Sequence, residues 1–252
     1  LGTQHPDTLT VLSSLAAILS TRGSLAEAEG LLREARDISA ELRGENHYDT
    51  LYHTNNLAEC LQRQRKTEEA TELFRRALAG CRETLGDENP YTLTVTLNLG
   101  AALAEVRQFD EADELLRAGL AGRRKLFGDD SIETFTARLQ LAILTCERGE
   151  YEAAAQEFKI LLDLAPRVAP PGHWYPAVVR GWYGEALVGL HRYEEAETQL
   201  TTAYEQLQTI LGDANPRTQK AIRRLVYLYD EWDRPVDAAR YRDRLGGADN
   251  AG

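Results

Sequence analysis

Methionine is absent from the 252 residues of this chain, and cysteine occurs three times, as Cys60, Cys81 and Cys146. An odd number of widely spaced cysteines excludes a disulfide framework and the ligand spacing of a structural zinc site. Free thiols of this kind are typical of a reducing compartment, so we predict a cytoplasmic protein. Because the chain begins at Leu1 and lacks methionine, we also expect it to be part of a longer polypeptide.

Long apolar runs and an excess of positive charge are also missing. No stretch approaches the roughly 18 apolar residues of a membrane-spanning helix, and no charged-then-apolar leader opens the sequence. The formal net charge of -11 argues against sequence-independent binding to nucleic acid or anionic lipid. Hydrophobic residues at 43% and charged residues at 27% are typical of a folded protein. We therefore predict neither a nucleic-acid partner nor a membrane partner.

A period of 42 residues runs through the sequence. Alanine recurs at one phase in all six periods, and glycine, leucine and threonine each recur at a phase of their own in five. A fixed period of this length indicates stacked structural repeats. The recurring residues are Ala28, Ala70, Ala112, Ala154, Ala196 and Ala238; Gly2, Gly44, Gly86, Gly128 and Gly212; Leu15, Leu57, Leu99, Leu141 and Leu225; and Thr8, Thr50, Thr92, Thr134 and Thr218.

Each period is predicted to form a helix, a short turn and a second helix. The stretch LGDENPYTL (85–93) ends one helix at Gly86 and offers Asn89 as the N-cap of the next helix, with Pro90 in its first turn. LGDANPRT (211–218) repeats this pattern. The second repeat is thus predicted to hold helices over about 48–63 and 68–85. Small residues that would let paired helices approach closely recur at Ala16, Ala58, Gly100, Ala142 and Gly184.

A resemblance to a known family is carried by the stretches that open a repeat, such as LGDENPYTL, and by NNLAECL, LNLGAAL, FDEADELL and YEEAETQL. In these stretches the chain resembles tetratricopeptide repeats of the 42-residue, kinesin-light-chain type. Similar arrays form the tails of bacterial multidomain signalling kinases. The resemblance implies an all-α, right-handed solenoid of six helix-turn-helix repeats without catalytic residues. It places the repeats at about 1–42, 43–84, 85–126, 127–168, 169–210 and 211–245, followed by a disordered tail at 246–252.

One segment departs from the pattern. PRVAPPGHWYP (166–176) replaces the usual opening and holds four of the chain's eight prolines, yet the 42-residue frame resumes unshifted. Because proline disfavours helix continuation, we expect the preceding helix to stop there. The segment is either a stiffer linker between the fourth and fifth repeats or a bend in the solenoid.

Two adjacent asparagines, Asn55 and Asn56, lie inside the predicted helix 48–63, although asparagine is a poor helix former. On a helical wheel Leu51 and Leu57 lie on the packing face, and the asparagines lie on a broadly opposite arc. In the family that the chain resembles, that arc lines a concave groove that binds an extended peptide. An asparagine amide suits this role because it donates and accepts hydrogen bonds at once.

The same phases in the other repeats complete the candidate groove. Its surface grades from polar through apolar (Leu97, Leu139 and Ile143) to basic, which predicts a protein or peptide partner with an apolar centre and an acidic end. The candidate peptide-binding residues are Tyr52, Asn55, Asn56, Glu59, Arg63, Thr94, Asn98, Gln140, Trp182, Lys220, Arg223 and Arg224.

Structural interpretations of these residues remain open. Asn56, Asn98 and Gln140 share one phase, so instead of contacting a partner they could hydrogen-bond between adjacent repeats or simply be exposed to solvent. The apolar residues and Trp182 could be core, and the basic residues of the sixth repeat could be a solvated face.

The sequence shows no constellation that predicts catalysis. His5 and His47 share a phase just before a helix, and the other histidines lack carboxylate or cysteine partners at ligand spacing. No phosphate loop, nucleophile elbow or HExxH motif is present. We therefore predict no catalytic residue, no metal and no cofactor. Two functions remain: a recognition module that binds a linear segment in its groove, or an assembly scaffold that acts through self-association or through contact with another domain of the parent protein.

Overall fold

The computed structural model describes residues 6–246, and all the regular secondary structure in that range is α-helical. The helices form consecutive pairs, one pair per 42-residue repeat, and fall into two compact units, Leu1–Leu126 and Phe127–Gly252. The helices of the described range are α1 Pro6–Arg22, α2 Leu25–Arg43, α3 Tyr48–Arg63, α4 Thr67–Leu85, α5 Pro90–Glu105, α6 Phe109–Phe127, α7 Ile132–Glu147, α8 Tyr151–Val168, α9 Tyr175–Gly189, α10 Tyr193–Leu211, α11 Pro216–Glu231 and α12 Pro235–Gly246.

The first helices begin at the residues that the repeat pattern predicts. The side chain of Asn89 accepts a hydrogen bond from the Tyr91 amide at 2.8 Å, and Asn215 does the same for Arg217 at 2.9 Å. At the same phase His47 caps α3, accepting from the amide of Asp49, and Ser131 caps α7. These side chains satisfy amides that the first turn of a helix leaves without a partner. His47 is therefore a capping residue, and its repeat equivalent His5 lies outside the described residues.

The turn between the two helices of a repeat has the same backbone conformation in all six repeats. One residue of each turn has a positive φ angle, in the left-handed region. This region favours glycine because a side chain there is sterically strained. Glycine occupies only two of the six turns. The turn residues and their φ angles are Gly23 (90°), Arg65 (65°), Arg107 (62°), Gly149 (83°), His191 (57°) and Asp233 (54°).

Within each unit every helix packs on its neighbours in the chain. The first helices of successive repeats also touch, α3 with α5 in the first unit, and α9 with both α7 and α11 in the second. We call the surface that these first helices share the inner face of each unit. The close approach of paired helices depends on small residues: a Cβ added to Gly100 would lie 2.8 Å from Leu116, and one added to Gly184 would lie 2.5 Å from Leu200.

The all-α fold of stacked helix-turn-helix repeats is confirmed. One detail of the proline-rich segment is corrected: α8 continues through Pro166 to Val168 instead of stopping before it. Proline in the last helical turn removes only one backbone donor, so the helix tolerates it there. The bend at residues 166–176 stays a prediction; that segment lies within the second unit, where α8 and α9 are in contact. Gly2 and the predicted tail at 246–252 fall outside the described range, apart from Gly246, the last residue of α12.

Across the described part of the chain, no α-helix has the length and apolar character required to span a bilayer.

We predict opposite effects for two Gly→Ala substitutions. Gly149→Ala should lower the free energy of unfolding by about 1 kcal/mol, because its φ is +83° and an added Cβ would touch nothing within 4 Å, which leaves only the backbone cost. Gly30→Ala should raise the free energy of unfolding by up to about 1 kcal/mol, because Gly30 is exposed inside α2.

Thermal unfolding of both variants checks this, since about 1 kcal/mol shifts the melting temperature of a chain this long by roughly 2–4 °C. A Gly149→Ala variant that melts at or above the parent temperature would contradict the role of the left-handed turn.

Candidate functional site

The inner face of the first unit contains a cleft between α1 and α3, which we call the α1–α3 cleft. Two open cavities lie along it, of about 510 Å³ and 260 Å³, and they share Ser13, Ala17 and Tyr52 as lining residues. The larger cavity extends to Arg43 and Tyr48, and the smaller one is also lined by Asn56, Glu59 and Arg63. A cavity of several hundred Å³ is in the size range of ligand-binding sites.

Aromatic side chains border the larger cavity. Tyr48 and Tyr52 are one helical turn apart on α3, and their ring centroids lie 6.4 Å apart in a stacked arrangement. Tyr91 of the next repeat packs edge-on against Tyr48 at 5.3 Å and holds the pair from behind. Tyr48 is 46% exposed and Tyr52 is 39% exposed. The cleft therefore presents an aromatic surface to solvent, held in place by a ring from the neighbouring repeat.

Polar groups fix the wall of the same cavity. His53 is buried, and one of its ring nitrogens (Nδ1) lies 3.0 Å from Ser13 Oγ on α1. Burial lowers the pKa of His53, because the charged imidazolium would lose hydration there. His53 is accordingly neutral at pH 7. Arg43 and Asp49 form an ion pair at the rim.

The asparagine pair of α3 is divided between two environments. Asn55 is only 2% exposed and its Nδ2 donates to Glu59 Oε1 at 2.8 Å. Asn98 of α5 donates from Nδ2 to the same Glu59 oxygen at 2.8 Å and also lies 3.1 Å from Asn55 Oδ1. Three residues from two adjacent repeats thus form one hydrogen-bond network. Asn56, in contrast, is half-buried and lines the cleft.

Glu59 is the acceptor at the centre of this network. Desolvation within the inner face raises the pKa of Glu59, and the hydrogen bonds from Asn55 and Asn98 oppose this increase. The two amides therefore help to keep the carboxylate charged. Arg63, one turn further along α3, also favours the charged form and donates from Nη2 to the backbone oxygen of Ser20 on α1 at 2.6 Å.

The second unit contains an equivalent hydrogen bond to a glutamate of the preceding repeat, made by different residues. Arg224 occupies the repeat phase of Asn98, and its Nε donates to Glu185 Oε2 at 2.6 Å. Glu185 occupies the phase of Glu59, so in both units a donor reaches back 39 residues to a glutamate of the preceding repeat. Arg224 is 8% exposed and lies over the ring of Trp182, 4.0 Å from its centroid. Arg224 and Trp182 therefore belong to the interface between repeats in this structure.

The remaining candidate residues are more dispersed. Thr94 accepts a hydrogen bond from Arg123 Nη2 at 2.5 Å, and Gln140 is half-buried on α7. Lys220 is exposed on α11 with its Nζ 4.6 Å from the Trp182 centroid, and Arg223 is exposed beside it.

The predicted apolar stretch is largely core. Leu97 is 5% exposed and Leu139 is 6% exposed. Leu97 is buried because Gly119 of α6 has no side chain. A Cβ added to Gly119 would lie 2.5 Å from Leu97, so the glycine lets Leu97 pack onto α6. Beside the α1–α3 cleft, the exposed apolar surface is instead the Tyr48–Tyr52 pair. Sequence reasoning did not single out Tyr48 and Tyr91, although the i, i+4 spacing of Tyr48 and Tyr52 predicts that their rings share a helix face.

The described residues contain no group of three or more histidine, cysteine, aspartate or glutamate side chains that could hold a metal ion. The thiols of Cys60, Cys81 and Cys146 are free and buried. Burial raises the pKa of Cys81 to about 11, which leaves this thiol protonated at neutral pH.

Comparison with known families agrees with the repeat architecture. The family model described as "Tetratricopeptide repeat" matches residues 7–83, 49–125 and 91–167, and so covers more than half of the chain. The chain belongs to the tetratricopeptide repeat (TPR) family. No curated protein matches it in sequence.

Solved structures of several other proteins are similar in fold. Nearly identical TPR-like repeats of a kinesin light chain from Podosopora anserina superpose with a TM-score of 0.64 at 22% identity, covering 82% of this chain and 98% of that one. BtubC (BKLC) from P. vanneervenii gives 0.66 at 20% identity, covering 82% of each chain. A Rap protein complexed with competence and sporulation factor gives 0.69 at 11% identity, covering 96% and 74%. At these identities the likeness concerns the fold.

We predict that the asparagines of the two repeats differ in their effect on stability. Asn98→Ala should lower the free energy of unfolding by about 1–3 kcal/mol, because it removes the inter-repeat hydrogen bonds and leaves buried Asn55 without this partner. Asn56→Ala should change it by less than about 0.5 kcal/mol. Both substitutions replace asparagine by alanine inside a helix, so the change in helix propensity is the same. The difference in unfolding free energy between the two variants therefore reports the hydrogen bonds of Asn98.

Urea unfolding of the two variants and the parent measures this difference. If Asn56→Ala destabilised the chain as much as Asn98→Ala, the assignment of Asn98 to the repeat interface and of Asn56 to the open cleft would be wrong.

Proposed function

We propose that this TPR chain is a non-catalytic protein–protein interaction module that binds an extended segment of a partner in the α1–α3 cleft. The observation that carries the proposal is the solvent-exposed Tyr48–Tyr52 pair beside a cavity of about 510 Å³. Exposed aromatic rings that are already held in place lose little conformational entropy on binding, and for this reason tyrosine is enriched in binding surfaces.

The floor of the cleft suits a peptide backbone. Asn56 offers an amide that both donates and accepts hydrogen bonds, and Ser13 and Arg63 lie along the same cavities. The cleft is open to solvent along its length, so a segment can enter without a change of the surrounding helices. We therefore propose that tyrosine rings hold one large apolar side chain of the partner while Asn56 pairs with its backbone.

Other proteins with this fold give independent support. The Rap protein that superposes with a TM-score of 0.69 was solved complexed with competence and sporulation factor. A helical repeat of this kind can therefore hold a partner molecule. For the present chain, the proposed class of partner is argued from the residues of the α1–α3 cleft.

The proposed partner is a protein or peptide with an apolar side chain that enters the tyrosine-lined cavity. An acidic region of the partner is a separate proposal that concerns the second unit, where Lys220 and Arg223 are exposed on the inner face of α11. The net charge of -11 disfavours a nucleic-acid or anionic-lipid partner. Free buried thiols are compatible with the cytoplasmic location that we propose.

A role in assembly is the second candidate function, and a different surface favours it. Apolar side chains of α1 (Val11, Leu15 and Ile18) are exposed, and a further structural element could pack on them. The two functions use separate surfaces, so one chain can carry both.

We predict that Tyr52→Ala weakens the binding of selected segments by about 10- to 100-fold, because a central aromatic anchor typically contributes a large share of binding energy. Segments are first selected from a random peptide library on the full chain, and their affinities are then measured by fluorescence anisotropy. Tyr52 is 39% exposed, so its loss should leave the fold intact.

Leu42→Ala is the matched control. Leu42 is 43% exposed in the same unit but lies on α2, a second helix, and its loss should change affinity less than twofold. Selected segments that tolerate Tyr52→Ala but lose affinity with Leu42→Ala would place the binding site outside the cleft and overturn the proposal.

A further inference from the structure

Helix α1 carries an exposed apolar stripe. Val11 is 63% exposed, Leu15 is 43% exposed and Ile18 is 52% exposed. Their spacing of four and three residues places the three side chains on one face of the helix. Ser13 and Ala17, which line the cleft, lie outside this stripe, whereas Ser14 of the larger cavity borders it beside Val11 and Ile18. A contiguous apolar surface of this kind usually marks an interaction site.

The equivalent stripe is buried on later first helices of both units. At the three matching phases no residue of α3, α5, α9 or α11 is more than 5% exposed. The stripe of α1 is therefore the exposed copy of a surface that α3, α5, α9 and α11 bury. These buried residues are His53, Leu57 and Cys60 on α3; Val95, Leu99 and Ala102 on α5; Val179, Tyr183 and Ala186 on α9; and Ala221, Leu225 and Leu228 on α11.

A second helix of the preceding repeat packs on this surface. Helices α2, α4, α8 and α10 contact α3, α5, α9 and α11 respectively. Individual contacts locate them on the stripe: Cys60 Sγ lies 3.5 Å from the backbone oxygen of Leu25 on α2, and Lys159 Nζ of α8 lies 5.8 Å from the centroid of the Tyr183 ring. An amphipathic second helix is thus the element that covers most of these residues, while His53 also contacts Ser13 of the preceding first helix.

The last second helix is not built to supply such a cover. Arg242 of α12 stands where the other five second helices bury a leucine or phenylalanine, and it is half exposed and pairs with Asp230 at 2.6 Å. Leu32 at this position of α2 borders the same cavity as Cys60 of α3, so stacking α12 of a second copy on α1 would bring the charged pair toward the apolar stripe. The five buried equivalents are Leu32, Phe74, Leu116, Phe158 and Leu200.

We propose that the Val11–Leu15–Ile18 stripe is the docking surface for a further helix-turn-helix repeat, whose second helix lies on α1 as α4 lies on α5. The closest match within the chain is α5, which buries Val95, Leu99 and Ala102 at these positions. The occupant is therefore an amphipathic helix with the apolar pattern of α4. This surface provides the array with an extension point on α1 beside the α1–α3 cleft.

The test fuses a copy of residues 43–84, the second repeat, directly in front of Leu1 of the full chain. The frame is preserved because Leu1 and Gly2 then follow the copy as Leu85 and Gly86 follow residue 84 in the chain. If the added repeat docks, hydrogen exchange of the α1 amides should slow by about tenfold or more, since local opening of α1 then requires undocking.

The matched variant is Leu15→Gln/Ile18→Gln, which keeps good helix formers in α1. In the chain without the fusion, where both side chains are exposed, it should change α1 exchange less than about twofold. In the fused chain it should abolish the added protection, because two glutamines would then lie in an apolar interface.

Three outcomes would overturn the proposal. The first is α1 exchange that the fusion leaves unchanged. The second is an added repeat that stays unfolded, since the same 42 residues fold when packed between their neighbours. The third is a dimer of the unfused chain that the double substitution dissociates, which would make a second copy the occupant.

Discussion

The packing of a first helix between its own second helix and the second helix before it, as for α3, α9 and α11, is the constraint on which the rest of the structure depends. A helix pair of about 40 residues cannot bury its own apolar surface, so each repeat needs its neighbours. This need for neighbours keeps the period at 42 residues, because an insertion into a first helix would rotate its buried apolar face away from the second helix that covers it. The same constraint explains why alanine or glycine recurs where paired helices touch, as at Ala58 and Gly100.

That constraint also divides the polar residues of the inner face into two classes. Side chains that find an acceptor on the preceding repeat become part of the stack, as Asn98 does with Glu59 and Arg224 with Glu185. Asn56 has the same phase, but the corresponding position on α1 is Ala17, which offers no side-chain acceptor. It therefore lines the cleft, together with Tyr52.

Sequence alone could predict the helices and most of their ends, because caps and turns are set by neighbouring residues: Asn89 caps α5 as its Asn-Pro motif indicates, whereas the sequence places the end of α8 too early, at Pro166. It could not assign the asparagines, since the burial of Asn55 depends on Glu59 and on Asn98, 43 residues away. Nor could it locate the aromatic surface, which requires Tyr91 to pack behind Tyr48 across the repeat interface. The position of a residue within the repeat determines which face of the helix it occupies. The side chain that faces it from the neighbouring repeat determines whether it remains exposed.

Hydrogen exchange of the full chain, with and without a segment selected from a peptide library, tests the central claim most directly. Binding in the cleft should slow exchange in residues 6–22 and 48–63, which form its two walls. Residues 67–85, the second helix of the second repeat, should change little, and residues 25–43 should change less than the two walls because only Leu32 and Arg43 of that helix line the cavities. Slower exchange confined to those second helices would contradict the account, because the partner would then bind away from the inner face.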